Sequence, residues 1–254
     1  MTDKKDTIIF GFLSLAFAAS SPAAIVTNWV TTNGDAGFAG GSEATNSPIT
    51  TDADAETIVG SFPAVTLGAG EVLLLTGSVN ITGNTGNIPG NQIRWGLFGA
   101  SGTPATGVGS GYVGVWATAS NVDATIRTAN GSTANPYTGS ASTIIATDPS
   151  GASLSYGTTY DFLLSITGVD ATQISVSGSI SESGGGLMNS WEETIAPASP
   201  ANFTYDSVAI LLGGTTDATQ AAFSNVEVNQ VPEPSSLLLS LVGLVGVVFR
   251  RRSA

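Results

Sequence analysis

The sequence predicts an all-β protein: a β-sandwich of two packed antiparallel sheets, flanked by an N-terminal leader and a single apolar C-terminal helix. Three observations predict it. Apolar residues recur at every second position in several stretches, and no long stretch shows helical periodicity. Turn-forming Gly, Asn, Asp and Pro clusters separate those stretches. Gly, Ser, Thr, Ala and Asn replace charged residues, which make up only 10% of the chain, and Gly, Ser, Thr and Asn disfavour helix interiors. A hydrophobic fraction of 42% is enough to fill a core and excludes a disordered chain.

In chain order, residues 1–24 read as a secretory signal peptide. Lys4 and Lys5 form a basic start, Ile8 to Ala18 an apolar run, and Ala16 and Ala18 an A-x-A cleavage pattern. Cleavage after Ala18 is the first choice, and the small residues to Ala24 allow later sites. A buried N-terminal helix is the alternative reading.

Residues 25–230 form the sandwich, taken as one domain. Within Val72–Ile81, the side chains of Leu73, Leu75, Val79 and Ile81 share a face. Tyr160, Phe162, Leu164 and Ile166 do the same, as do Ile174, Val176 and Ile180. Gly168–Ala171 joins these last two runs, so 160–180 is a predicted β-hairpin with a loop of four or five residues. Shorter strands are expected at Ile25–Val30, Ile93–Phe98, Gly111–Thr118, Phe203–Leu212 and Phe223–Val228. All are read as half-buried strands with polar outer faces. Eight or more such strands, each apolar on one face, point to two stacked sheets.

Charge and composition exclude several function classes. The chain has no Cys and no His, so it holds no disulfide, thiol nucleophile or zinc–thiolate site and lacks the commonest general base. Between Ile25 and Val231 there are two arginines, Arg94 and Arg127, against sixteen acids, a formal charge of −14. That field repels phosphate backbones, so nucleic acid is not an expected partner. Each arginine is expected to pair with a nearby acid.

The remaining chemistry is carboxylate, hydroxyl or oxygen-ligated calcium. Asp52, Asp54 and Glu56 alternate and would share one face of an extended strand, as hard oxygen ligands for calcium would. An EF-hand would need Gly and Glu where Thr57 and Pro63 stand, so a solvated acidic edge is the expected role, with a calcium site as the other reading. No cofactor is otherwise expected. Glu192 and Glu193 are adjacent, so on a strand they point to opposite faces and form no catalytic pair. No Glu-x-Asp-x-Glu strand is present, and the chain is not expected to be an enzyme. Trp95 and Trp116 lie within strand runs and are expected in the core. Trp191 follows a triple-glycine loop and is expected to be exposed. With Tyr137 it is a candidate platform for stacking on a sugar ring, although a loop tryptophan can equally cap a core.

Residues 231–254 carry the most specific pattern. Val231-Pro232-Glu233-Pro234 leads into the apolar run Leu237–Phe249, closed by Arg250, Arg251 and Arg252. The run is 13 residues against the roughly 20 of a stable membrane span, so its helix is marginal. The prolines stop a helix from propagating upstream, and the arginines hold the end on the cytoplasmic side. A plain tail anchor is the alternative. Box, apolar helix and arginine cluster together resemble the PEP-CTERM sorting signal. The resemblance covers only these last residues. It implies an exported protein held transiently in the inner membrane, recognised and processed by an exosortase, and passed to the outer cell surface or extracellular matrix. It also implies a bacterium that makes exopolysaccharide, which is then an expected partner.

A looser resemblance concerns the body of the chain. Ile93–Phe98, the Tyr160–Ile180 hairpin and the closing Ala222–Val228 resemble a concanavalin-A-like jelly roll of the laminin-G and legume-lectin kind. It implies the sandwich and leaves the function open between a structural or adhesive matrix component, a dedicated carbohydrate-binding module, and a glycoside hydrolase or lyase.

Overall fold

Alternation in the sequence becomes alternation in burial along three strands, and these build one sheet. The computed structural model describes residues 26–31, 49–51, 56–83, 92–99, 110–117, 124–129, 142–148, 154–195, 204–213 and 218–231. All lie within the compact unit Ser20–Glu233. The signal-peptide segment and the run Leu237–Phe249 fall outside the described residues.

The described residues form thirteen strands: β1 (Thr27–Thr31), β2 (Ile49–Thr51), β3 (Glu56–Thr66), β4 (Val72–Gly83), β5 (Gln92–Gly99), β6 (Ser110–Ala117), β7 (Ala124–Ala129), β8 (Ser142–Asp148), β9 (Thr159–Gly168), β10 (Ile174–Glu182), β11 (Leu187–Ile195), β12 (Thr204–Gly213) and β13 (Ala218–Val231). One sheet has six strands in the order β11-β10-β9-β4-β13-β2, the other seven in the order β1-β3-β12-β5-β6-β7-β8. Every pairing between neighbours is antiparallel. The predicted two-sheet sandwich is therefore present.

In the six-stranded sheet the inward residues are the predicted ones. Leu73, Leu75, Val79 and Ile81 on β4, Tyr160, Phe162, Leu164 and Ile166 on β9, and Ile174, Val176 and Ile180 on β10 are all buried. The hairpin expected at 160–180 is present, with Gly168 opposite Ile174 and residues 169–173 as its loop. Asp170 Oδ1 accepts hydrogen bonds from the Thr172 amide (2.6 Å) and hydroxyl (2.7 Å), which organise that loop and hold the carboxyl below its ordinary range.

The seven-stranded sheet departs from expectation. Ile93–Phe98 on β5 and Gly111–Trp116 on β6 are buried without interruption, so these strands have no polar outer face. A second apolar cluster of Val59, Phe98, Val113, Val115 and Ala209 belongs to the opposite-parity positions of these strands. Arg94, at such a position on β5, is buried as well.

The main core joins the sheets through three aromatic rings. Trp95 of β5 packs against Phe162 of β9 (centroids 5.5 Å, tilted 34°) and Trp191 of β11 (5.8 Å, 49°). Its indole Nε1 donates to the backbone carbonyl of Leu163 on β9 at 3.0 Å. Trp95 and Trp116 are wholly buried, as expected. Trp191 is the correction: it is 6% exposed and part of this core. The triple glycine does form a turn, with Gly184 at φ 73°, but β11 begins directly after it. Trp191 then pairs with Gly178 of β10, and its ring fills the space that a side chain at 178 would need. A Cβ at 178 would lie 2.5 Å from Trp191 Cζ2.

Three stability predictions follow from this packing. Glycine ordinarily weakens a strand, yet Gly178→Ala should destabilise the protein by about 1–3 kcal/mol by overpacking against Trp191. Trp191→Ala should cost about 3–5 kcal/mol. Urea unfolding midpoints check both, and an unchanged midpoint in either variant would contradict the packing. Burial pushes the Tyr112 hydroxyl up to about 12, and burial together with the neighbouring Tyr112 raises that of Tyr205 further. An unfolded tyrosine ionises near 10, so above that pH the unfolded state sheds protons that the native state keeps. Stability from this source is intact below pH 10. It should then fall by about 1.4 kcal/mol per pH unit for each tyrosine that stays protonated, seen as a dropping melting temperature between pH 10 and 12.

Candidate functional site

Because every second residue of β4, β9 and β10 points inward, the intervening residues form one continuous outer face. It is rich in hydroxyls: Ser175, Ser177, Ser179 and Ser181 alternate along β10 alone. Cross-strand register lines these residues up. Glu227 of β13 lies opposite Thr76 of β4, Thr76 opposite Leu163 of β9, Leu163 opposite Ser179 of β10, and Ser179 opposite Ser190 of β11. Five strands at about 4.8 Å spacing make this row about 19 Å long.

Two shallow grooves lie along it. The first, of about 350 Å³, is lined by Thr76, Ser78, Asp161, Ser181, Asn225 and Glu227 among others. The second, of about 420 Å³, is lined by Ser177, Leu187, Ser190 and Glu192 among others. Leu163 and Ser179 line both, so the grooves adjoin. Polar contacts within the face fix some of its side chains. Ser78 Oγ donates to Asp161 Oδ1 at 2.7 Å, Asn80 Nδ2 to Thr159 Oγ1 at 3.0 Å, and Ser175 Oγ to Glu192 Oε1 at 3.2 Å. At the β13 end, Asn225 adopts a left-handed φ of 52° inside a bulge between Ser224 and Glu227. The bulge shifts the register and brings Glu227 opposite Thr76. Hydroxyls that donate and accept, carboxylates that accept, and the apolar side chains of Leu163 and Leu187 form a surface suited to a polyhydroxylated ligand.

The candidate residues from the sequence fare differently. Trp191 is buried in the core rather than exposed, although it is among the residues that line the second groove. Tyr137, Asp52 and Asp54 lie outside the described residues. Glu56 is the first residue of β3, opposite Leu212 of β12. Among the described residues no three His, Cys, Asp or Glu side chains are grouped to hold a metal ion. Glu192 and Glu193 both lie on β11 and both are exposed, opposite Ser177 and Val176 respectively. Arg94 lies on β5 and Arg127 on β7, both in the seven-stranded sheet. Asp161 and Glu227, which the grooves bring to one face, went unnoticed in the sequence. Their only signal is outward parity next to the inward residues Phe162 and Val228.

Val231 is the last residue of β13 and pairs with Val72 of β4. The strand runs three residues beyond the expected Val228, directly to Pro232. Its neighbour Gln230 donates from Nε2 to Glu71 Oε2 at 3.4 Å, which ties this strand end to the turn before β4. Pro232, Glu233, Pro234, Arg250, Arg251 and Arg252 lie outside the described residues. Among the described residues no helix is long and apolar enough to cross a membrane.

Comparison with known proteins bears on both parts of the chain. No curated protein matches it by sequence. The sandwich is similar to lectin UEA-II complexed with galactose, with a TM-score of 0.51 and 9% identity over 82% of this chain and 96% of that one. It is similar also to basic winged bean lectin with Tn-antigen, with a TM-score of 0.50 and 9% identity over 84% of this chain and 98% of that one. At such identity the likeness establishes the fold alone, a concanavalin-A-like jelly roll of the legume-lectin kind. Residues 230–252 match the family model described as the PEP-CTERM protein-sorting motif, which implies an exported protein.

Proposed function

We propose that this protein is a non-enzymatic structural or adhesive component of the outer cell surface or extracellular matrix, delivered there by exosortase processing and associating with the producing cell's exopolysaccharide. The observation that carries the reading is the sorting motif at residues 230–252, which directs the chain out of the cell. The hydroxyl-lined outer face of the six-stranded sheet supports the polysaccharide contact, because sugars are bound by convergent donors and acceptors on a preformed surface. A dedicated carbohydrate-binding module is the second reading, favoured by the likeness to lectins solved with galactose and with Tn-antigen.

The test follows the protein in the producing strain. Wild-type chain should appear in the surface or matrix fraction, shortened at its C-terminal end, whereas a chain lacking residues 232–254 should not reach that fraction. Identical fractionation of the two would overturn the reading. In pull-downs on the strain's own exopolysaccharide, retention should be saturable and unchanged by EDTA. Loss in EDTA would instead assign calcium to Asp52, Asp54 and Glu56, and no retention would leave a coat role without polysaccharide contact.

A further inference from the structure

The basic residues of the sandwich are confined to one sheet, whereas acids occur on both. The six strands β11, β10, β9, β4, β13 and β2 contain no Lys or Arg and five acids: Asp161, Glu182, Glu192, Glu193 and Glu227. Both arginines of the region 25–231 belong to the other sheet. The grooves therefore lie on a face with no cation of its own. Glu227 on β13 and Asp161 on β9 line the first groove, and Glu192 on β11 lines the second. These three sit at alternating outward positions, so their carboxylates and the serine hydroxyls belong to one surface.

Charge decides which polymer such a surface takes. A glycan bearing uronate, sulfate or phosphate groups would bring like charge onto a face that offers no counter-ion, inside a field already at −14 over residues 25–231. A neutral glycan would be tolerated, with its hydroxyls matched by Ser, Thr and Asn. A glycan with free amino groups would gain in addition from ammonium–carboxylate hydrogen bonds, which are shorter and stronger than neutral ones. The row from Glu227 to Ser190 is about 19 Å long, long enough to contact several successive sugar units rather than a single terminal residue.

From the grooves on the six-stranded sheet and their one-signed charge, we propose that this face binds a cationic amino-sugar polymer, a polysaccharide with unacetylated hexosamine units. Asp161, Glu227 and Glu192 receive the ammonium groups, and the serines of β10 receive the hydroxyls. The inference rests on the polysaccharide-binding reading above and narrows it to one class of ligand.

The test uses the full chain, purified in mild detergent and titrated calorimetrically at pH 5.5, where the amino sugar carries its proton. Three probes are compared: a glucosamine hexamer, its fully N-acetylated counterpart and an oligo-uronate of similar length. The glucosamine hexamer should bind at least about tenfold tighter than the acetylated one, as expected for two or three partly screened ion pairs, and the oligo-uronate should not bind. The pair Asp161→Asn and Glu227→Gln, isosteric and so without effect on packing, should weaken the hexamer about fivefold. A charge-matched control, Asp170→Asn with Glu193→Gln, lies on the hairpin loop and on the other parity of β11, and should leave affinity within about twofold. Equal or tighter binding of the acetylated hexamer would overturn the cationic preference while leaving polysaccharide binding intact. Equal weakening by the control pair would overturn the site, since net charge alone would then explain the affinity. Failure of all three probes, with saturable retention on the native exopolysaccharide, would overturn this inference only. Failure on that polymer as well would remove both.

Discussion

One indole holds the two sheets in register. Trp95 sits on the seven-stranded sheet, donates to the Leu163 carbonyl on β9 of the six-stranded one, and packs on Phe162 of that same strand and on Trp191 of β11. A sandwich core is otherwise non-directional, because apolar burial depends on area rather than angle. The indole hydrogen bond supplies direction, at a net worth of about 1 kcal/mol, and each ring pair adds about 0.5–1.5 kcal/mol. Glycines make room for this arrangement. A Cβ at Gly114 would lie 2.6 Å from Trp95 Cε2, and Gly178 is held free of a side chain by Trp191. The rings of Trp95 and Trp191 thus lie against the backbone of the neighbouring strand in their own sheets.

From this junction the two faces of the sandwich acquire different characters. The six-stranded sheet alternates strictly and leaves polar residues outside. At β5 and β6 the seven-stranded sheet is buried on both sides, with Val59, Phe98, Val113, Val115 and Ala209 packed away from the main core. Among the described strands, those of the six-stranded sheet carry acids and no Lys or Arg.

The legible and illegible parts divide along physical lines. Strands β4, β9 and β10 were readable because one side of each faces water and the other the core, which writes a period of two into the sequence. The sorting tail was readable because all its features are local. Strands β2, β3, β7, β8 and β11 were not anticipated: Val65 of β3 and Ile145 of β8 pack against the core, yet their neighbours do not alternate cleanly. Trp191 was misplaced for a related reason. Gly184–Gly186 mark a turn, but nothing local tells that Trp191 will meet a glycine on the next strand. The grooves were invisible because they depend on register. Only pairing shows that Glu227 lies beside Thr76 and that Ser179 lies between Leu163 and Ser190.

The position of β13 has a consequence for timing. This strand lies between β4 and β2, with eleven paired positions along β4, and β2 pairs with no other strand among the described residues. Until β13 arrives, β4 has one bare edge and β2 has no seat. Yet β13 is the last stretch of chain before Pro232. A polypeptide threaded through a membrane from its N-terminus delivers this strand last, and its pairing with β4 closes contacts across about 150 positions of sequence, the kind of contact that forms slowly. The six-stranded sheet is complete only once the last stretch of chain before Pro232 has taken its place between β4 and β2.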